Sequence, residues 1–146
     1  MKPDVLCRAE HIPFADSSFD VVACRTAAHH FDDVHAAVGE MARVSSDRVL
    51  LVDTLHMGQA AEEAERLRDP SHVRNYTEEE WRAFVDGAGL RIEQVELTQN
   101  TFDFAAWLRR TGCEGEEAER VRDLWGGRVA DGRLSLDKIC IRAVKP

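Results

Sequence analysis

Ala9-Glu10-His11-Ile12-Pro13-Phe14-Ala15-Asp16-Ser17-Ser18-Phe19-Asp20-Val21-Val22 sets a turn-rich loop directly before an apolar run that continues through Ala23 and Cys24. Pro13, Asp16, Ser17 and Ser18 are turn formers, whereas residues 19–24 have the composition of a strand. A shorter apolar run, Asp4-Val5-Leu6-Cys7, precedes the loop, so the spacing predicts two strands joined by it. Downstream, Asp32-Asp33 stand ahead of Val34, Ala37, Val38, Met41 and Ala42, which recur at helical spacing. Acidic residues at a helix start complement its dipole. Arg48-Val49-Leu50-Leu51-Val52-Asp53-Thr54 is a branched run with an acid near its C-terminal end, the pattern of a parallel strand covered on both faces. Together these segments imply a βαβ unit.

The same reading extends to the C-terminus. Residues 60–67 predict a helix that Asp69-Pro70 ends, because proline disfavours helical geometry in the residue before it. Thr77-Glu78-Glu79-Glu80 has the form of a capping box, and Trp81, Phe84, Val85 and Ala88 then share one helical face. Ala88-Gly89 closes that helix, and residues 90–97 predict a strand with Ile92, Val95 and Leu97 inward. Residues 102–110 and 116–124 predict helices, with Gly126-Gly127 as a stop, and residues 134–144 predict a closing strand. The class is α/β, organised as a single domain over 1–146 with no internal repeat, low-complexity segment or linker.

Charge and cysteine usage exclude several functions. The formal net charge of −8 argues against a nucleic-acid partner, and of 19 basic residues only Lys2, Lys138 and Lys145 are lysines. No apolar run is long enough to cross a membrane, so no membrane association and a cytoplasmic location are expected. Cys7, Cys24, Cys113 and Cys140 lack any C-x-x-C spacing and read as buried reduced thiols.

The stretch 9–22 resembles the A-E-x-L-P-F-x-D-x-S-F-D-x-V signature of class I S-adenosylmethionine-dependent methyltransferases of the ubiquinone/menaquinone-biosynthesis type. Cys24-Arg25-Thr26-Ala27-Ala28-His29-His30-Phe31 is similar to the segment that follows it, and Glu40-Met41-Ala42-Arg43-Val44 to the next helix. Arg68-Asp69-Pro70-Ser71-His72-Val73-Arg74-Asn75-Tyr76-Thr77, with Trp81 behind it, resembles a subgroup of the same family. The resemblance implies an incomplete Rossmann-like methyltransferase sheet of order 3-2-1-4-5-7-6, with this chain supplying strands equivalent to 3, 4, 5, 6 and 7 and flanking helices. Residues 5–7 would be the third strand. The first two strands, with the glycine-rich turn and the ribose-binding acid, would precede Met1, since the chain contains no G-x-G-x-x-G.

By that resemblance S-adenosylmethionine is the cofactor, with Arg8, Ala9 and Glu10 at its adenine edge and Cys24 and Arg25 at its amino-acid edge. Arg8 stands where the family has Asp, and arginine cannot accept a hydrogen bond from the adenine amino group. Ser45-Ser46-Asp47 replaces the family's Pro-Gly-Gly turn. Both departures favour an alternative, a pseudo-enzyme acting as a dimerisation or partner-binding module.

His29, His30 and His72 are the candidate catalytic residues for a small-molecule substrate. Imidazole suits general-base removal of a proton from a hydroxyl or carbon acid, although a plain histidine wall to the pocket accounts for His29 and His30 as well. His72 either sits on a loop over the active site or caps the following segment. A cofactor-independent enzyme using these histidines is a third reading. No metal is expected, because His29, His30, His35 and Asp32 or Asp33 match no standard zinc spacing. Residues 20–24 would form an unpaired apolar edge, so a homodimer or a partner chain pairing with that edge is expected.

Overall fold

The computed structural model describes residues 4–146. Strand β1 (Phe19–Arg25) leads through a 3₁₀ turn (Ala28–His30) to helix α1 (Val34–Val44) and strand β2 (Ser45–Thr54). Helices α2 (Gln59–Arg68) and α3 (Glu78–Gly87) precede strand β3 (Arg91–Asp103). Helices α4 (Phe104–Arg109) and α5 (Gly115–Trp125), a second 3₁₀ turn (Gly126–Arg128) and strands β4 (Val129–Ala130) and β5 (Arg133–Val144) complete the chain. The sheet order is β1-β2-β5-β3, with β4 attached to β5. β1 and β2 are parallel, and β5 runs antiparallel to both β2 and β3. That is the 4-5-7-6 part of the expected order.

Local chemistry starts the helices where the sequence placed them. Asp33 caps α1 by accepting the Ala36 N–H at 2.9 Å. At α3 both halves of the capping box form: Glu80 N–H donates to Thr77 Oγ1 at 3.2 Å and Thr77 N–H to Glu80 Oε2 at 2.9 Å. Each bond satisfies an amide that the first helical turn would otherwise leave unpaired.

Two apolar clusters hold the layers together. Val38 and Met41 of α1 and Trp81 and Val85 of α3 bury against Val49, Leu51, Ile139 and Ile141 on one face of the sheet. Phe104, Trp107, Val121 and Trp125 pack with Leu134 and Leu136 in the second cluster. Alternation along β2 sends Leu50 and Val52 to the opposite face, where they are half-buried rather than covered as the sequence pattern predicted.

The loop ahead of β1 is fixed by Arg43 of α1. Its guanidinium donates to Phe14 O at 2.8 Å, Ile12 O at 2.9 Å and Asp16 Oδ1 at 2.9 Å, and its Nε pairs with Glu40 at 2.6 Å. Glu40 in turn accepts the Ile12 N–H at 2.8 Å. The hydrogen bond from Arg43 holds the Glu40 carboxyl down at about 2.

Three further expectations are corrected, the first being Leu97, which is 56% exposed on β3 rather than turned inward. Residues 5–7 form no strand, and Leu6 is 92% exposed. A strand needs a neighbour for its amides, and among the described residues β1 pairs with β2 alone, so the segment expected as the third strand has no strand there to join. The thiols are free, but only Cys113 is buried: Cys7 is exposed on that unpaired segment, and Cys24 and Cys140 are half-covered.

Candidate functional site

In open α/β sheets, ligands bind outside the carboxyl ends of the parallel strands. Here β1 ends at Arg25 and β2 at Thr54, and a cavity of about 390 Å³ opens above them, reached also by β3 and β5. Arg25, Thr54, His29, Glu65, Trp107 and Lys138 are among its lining residues. The chain turns sharply after β1 at Thr26, whose φ of 52° is costly for a β-branched residue. Its N–H donates to Val52 O at 2.7 Å, which brings the turn Ala28–His30 over the strand ends.

Asp53 then fixes His29. Oδ1 of Asp53 lies 2.6 Å from His29 Nδ1, and Oδ2 accepts the His29 backbone N–H at 3.2 Å. Thr54 N–H donates to the same carboxylate at 2.7 Å. Burial pushes the Asp53 carboxyl up, but the His29 hydrogen bond and charge outweigh it and hold the group below the usual carboxylate range. An ionised carboxylate only accepts, so Nδ1 carries the hydrogen, and in the neutral ring the lone pair stands on Nε2.

The other predicted histidines come from segments far apart in sequence and meet at this point. Ring centroids of His29 and His30 are 4.2 Å apart, and His72 lies 5.5 Å from His29 and 6.4 Å from His30. His30 Nδ1 faces Ser71 O at 3.0 Å and Ser71 Oγ at 3.1 Å. His72 is buried behind the pair, with Nε2 3.1 Å from Glu62 Oε2, while His56 Nδ1 lies 3.2 Å from Oε1 of the same carboxylate. Burial raises the Glu62 carboxyl, yet the His72 hydrogen bond and the Asn75 N–H bring it down to about 2.

The residues predicted for the cofactor divide. Arg25 lines the cavity. Cys24 is not part of its lining and packs against the apolar cluster of α1 and α3, its thiol pushed up to about 11 by burial and by the charge of Asp53. Arg8, Ala9 and Glu10 sit on the loop beside the start of α1: Arg8 donates to Asp32 at 2.6 Å, and Glu10 Oε1 accepts the N–H groups of Asp32 and Asp33 at 3.1 and 3.2 Å. Arg8 offers adenine no acceptor, and Glu10 is committed to that turn. The side chains of Arg8 and Glu10 therefore do not supply the adenine contact that the resemblance implied.

Sequence reasoning missed Asp53, Glu62, Glu65, Asn75 and Lys138 as site residues. Glu65 is 6% exposed, its carboxyl raised by burial, and the Lys138 ammonium is lowered by burial at 4% exposure. Asn75 is 1% exposed, and neither end of its side-chain amide has a partner. A signal did exist for two of them: Asp53 closes an apolar strand, and Lys138 interrupts one.

A family profile described as "Methyltransferase domain" matches residues 2–53. The chain is 37% identical over 120 residues to the uncharacterized methyltransferase YcgJ of Bacillus subtilis, covering 77% of this chain and 47% of YcgJ. It is 36% identical over 109 residues to the uncharacterized protein YafE of Escherichia coli, covering 70% of this chain and 53% of YafE. The chain thus spans about half the length of the curated relatives it matches. The crystal structure of YcgJ superposes with a TM-score of 0.85 at 31% identity, over 94% of this chain and 68% of that one. BH2331 from Bacillus halodurans gives 0.84 at 29% identity, over 96% and 76%.

Proposed function

The chain belongs to the methyltransferase domain family, and from that premise we propose that it forms the acceptor side of an S-adenosylmethionine-dependent methyltransferase acting on a small organic molecule. The observation that carries this reading is His29 in the wall of the cavity, held by the buried Asp53. His29 Nε2 is the general base for a hydroxyl or carbon acid bound there, and Asp53 positions it and stabilises the imidazolium that forms. His30 forms the adjacent wall, and His72, engaged by Glu62, supports both rings from behind.

The remaining cofactor anchors belong, by the resemblance, to the glycine-rich turn and the ribose-binding acid that this chain does not contain. By the same resemblance Cys24 and Arg25 stand at the cofactor's amino-acid edge. Among the described residues the outer edge of β1 has no partner strand, with Phe19 and Val21 40% and 48% exposed, and in this reading it takes a further strand from a second copy or from a chain carrying the first strands. No helix among the described residues is long and apolar enough to cross a membrane.

The test joins the portion of YcgJ that lies outside the match to this chain and follows label from methyl-labelled S-adenosylmethionine into a panel of phenols, enols and amines. Transfer to one class of acceptor is expected. Cofactor binding without transfer to any acceptor rejects the reading in favour of a partner-binding module, for which the Arg8–Asp32 pair speaks.

A further inference from the structure

The cavity runs against the charge of the molecule that contains it. The chain carries a formal net charge of −8, yet Arg25, Arg68, Arg110 and Lys138 line this one space, opposed by Glu65 and Asp69. Lys138 is the most telling of them. It is 4% exposed, and its three N–H donors have one hydrogen-bond partner, Thr54 Oγ1 at 2.7 Å. A buried ammonium is costly unless its donors are met, and an unmet one at the floor of a cavity is a ready anchor for an acceptor oxygen. Arg68 lies with its guanidinium 4.0 Å from the Trp107 ring centre and shares Glu65 at 3.4 Å, while Arg110 is exposed at the rim beside Phe102. Trp107, Phe102, Val52 and Leu136 supply the apolar part of a wall that Thr26, Thr54 and Asn100 also line.

We propose that the cavity takes a small organic acid, with its carboxylate on Lys138 under the Arg68 and Arg110 rim and its apolar body against Trp107 and Phe102. A single negative charge is favoured over a phosphate because Glu65 and Asp69 share the space. Consecutive residues of β2 then hold the two ends of the acceptor site: Asp53 holds His29, and Thr54 holds Lys138. This substrate class rests on the methyltransferase reading, but its test reads binding and needs no transfer.

Calorimetric titration of the chain at pH 7 with 4-hydroxybenzoate and with its neutral counterpart 4-hydroxybenzamide is the experiment. The acid is expected to bind tighter by a factor of about ten or more, as for hydrogen bonds to a charged group. Lys138→Met and the exposed Arg110→Gln should each erode that preference, the second guarding against a folding defect in the first. Equal affinity for acid and amide, or a preference untouched by both substitutions, overturns the proposal. Displacement of the acid by S-adenosylhomocysteine, with the Lys138 dependence kept, assigns the carboxylate to the cofactor and overturns it too. Acid preference in a joined protein that never transfers methyl rejects the methyltransferase reading alone, and transfer without acid preference rejects the substrate class alone.

Discussion

Asp53 grips residue 29 twice, accepting from His29 Nδ1 at 2.6 Å through one oxygen and from the His29 backbone N–H at 3.2 Å through the other. The ring thus has a fixed tautomer and a fixed place over the ends of β1 and β2. Asp53→Asn presents an amide that donates to Nδ1, which moves the hydrogen to Nε2 and removes the base. In the joined protein, kcat should fall about 10² to 10⁴-fold with little change in KM, and His29→Gln should do the same without adding to it. Steady-state kinetics of the two single variants and the double variant check this, and full additivity contradicts it.

Glu62 makes stability depend on acid. Its folded value of about 2 lies below the ordinary carboxylate range, so it contributes stability that is complete above the unfolded value near 4.5 and is lost as pH falls towards 2. Glu62→Gln should lower the melting temperature at pH 7 and flatten its decline between about pH 4.5 and 2. Melting curves across that range read both effects.

At α3, the capping box predicts that Thr77→Ala costs about 1 kcal/mol and roughly 3 °C in Tm. Arg82→Ala, an exposed ion-pair partner of Glu78 on the same helix, should cost no more than about 0.5 kcal/mol. Comparable losses for the two substitutions contradict the capping account.

The open edge of β1 gives a prediction in solution. The Thr26 N–H on Val52 O and the alternation of a parallel ladder turn the Val22 and Cys24 amides towards β2 and the Val21 and Ala23 amides outward. Strand addition at this edge slows hydrogen exchange at Val21 and Ala23 and gives a sedimentation mass above the 16.4 kDa of one chain. A monomer whose Val21 and Ala23 amides exchange freely contradicts it.

Much of the fold was legible because its signals are local. The Thr77 box, the Asp33 cap and the apolar runs of β1, β2 and β5 each act within a few residues, and they locate these elements to within three residues at each end. Residues 5–7 failed because an apolar run specifies a strand only when a neighbour exists to pair with it. β3 runs six residues past the predicted end at 97 because β5 pairs with it through Asp103, a long-range effect with no mark in 98–103. The resemblance named His29, His30 and His72 as candidates and the fold brings them together, whereas Asp53, Glu62 and Lys138 enter the candidate site only through contacts 24, 10 and 84 positions away.

The central claim is that this chain supplies the acceptor side and that most of the cofactor's anchors lie elsewhere. Calorimetric titration with S-adenosylhomocysteine tests it most directly, comparing the chain alone with the chain joined to the YcgJ portion outside the match. The account predicts no micromolar binding by the chain alone and micromolar binding once joined. Micromolar binding by the chain alone, at the stoichiometry of one ligand per monomer, would contradict it.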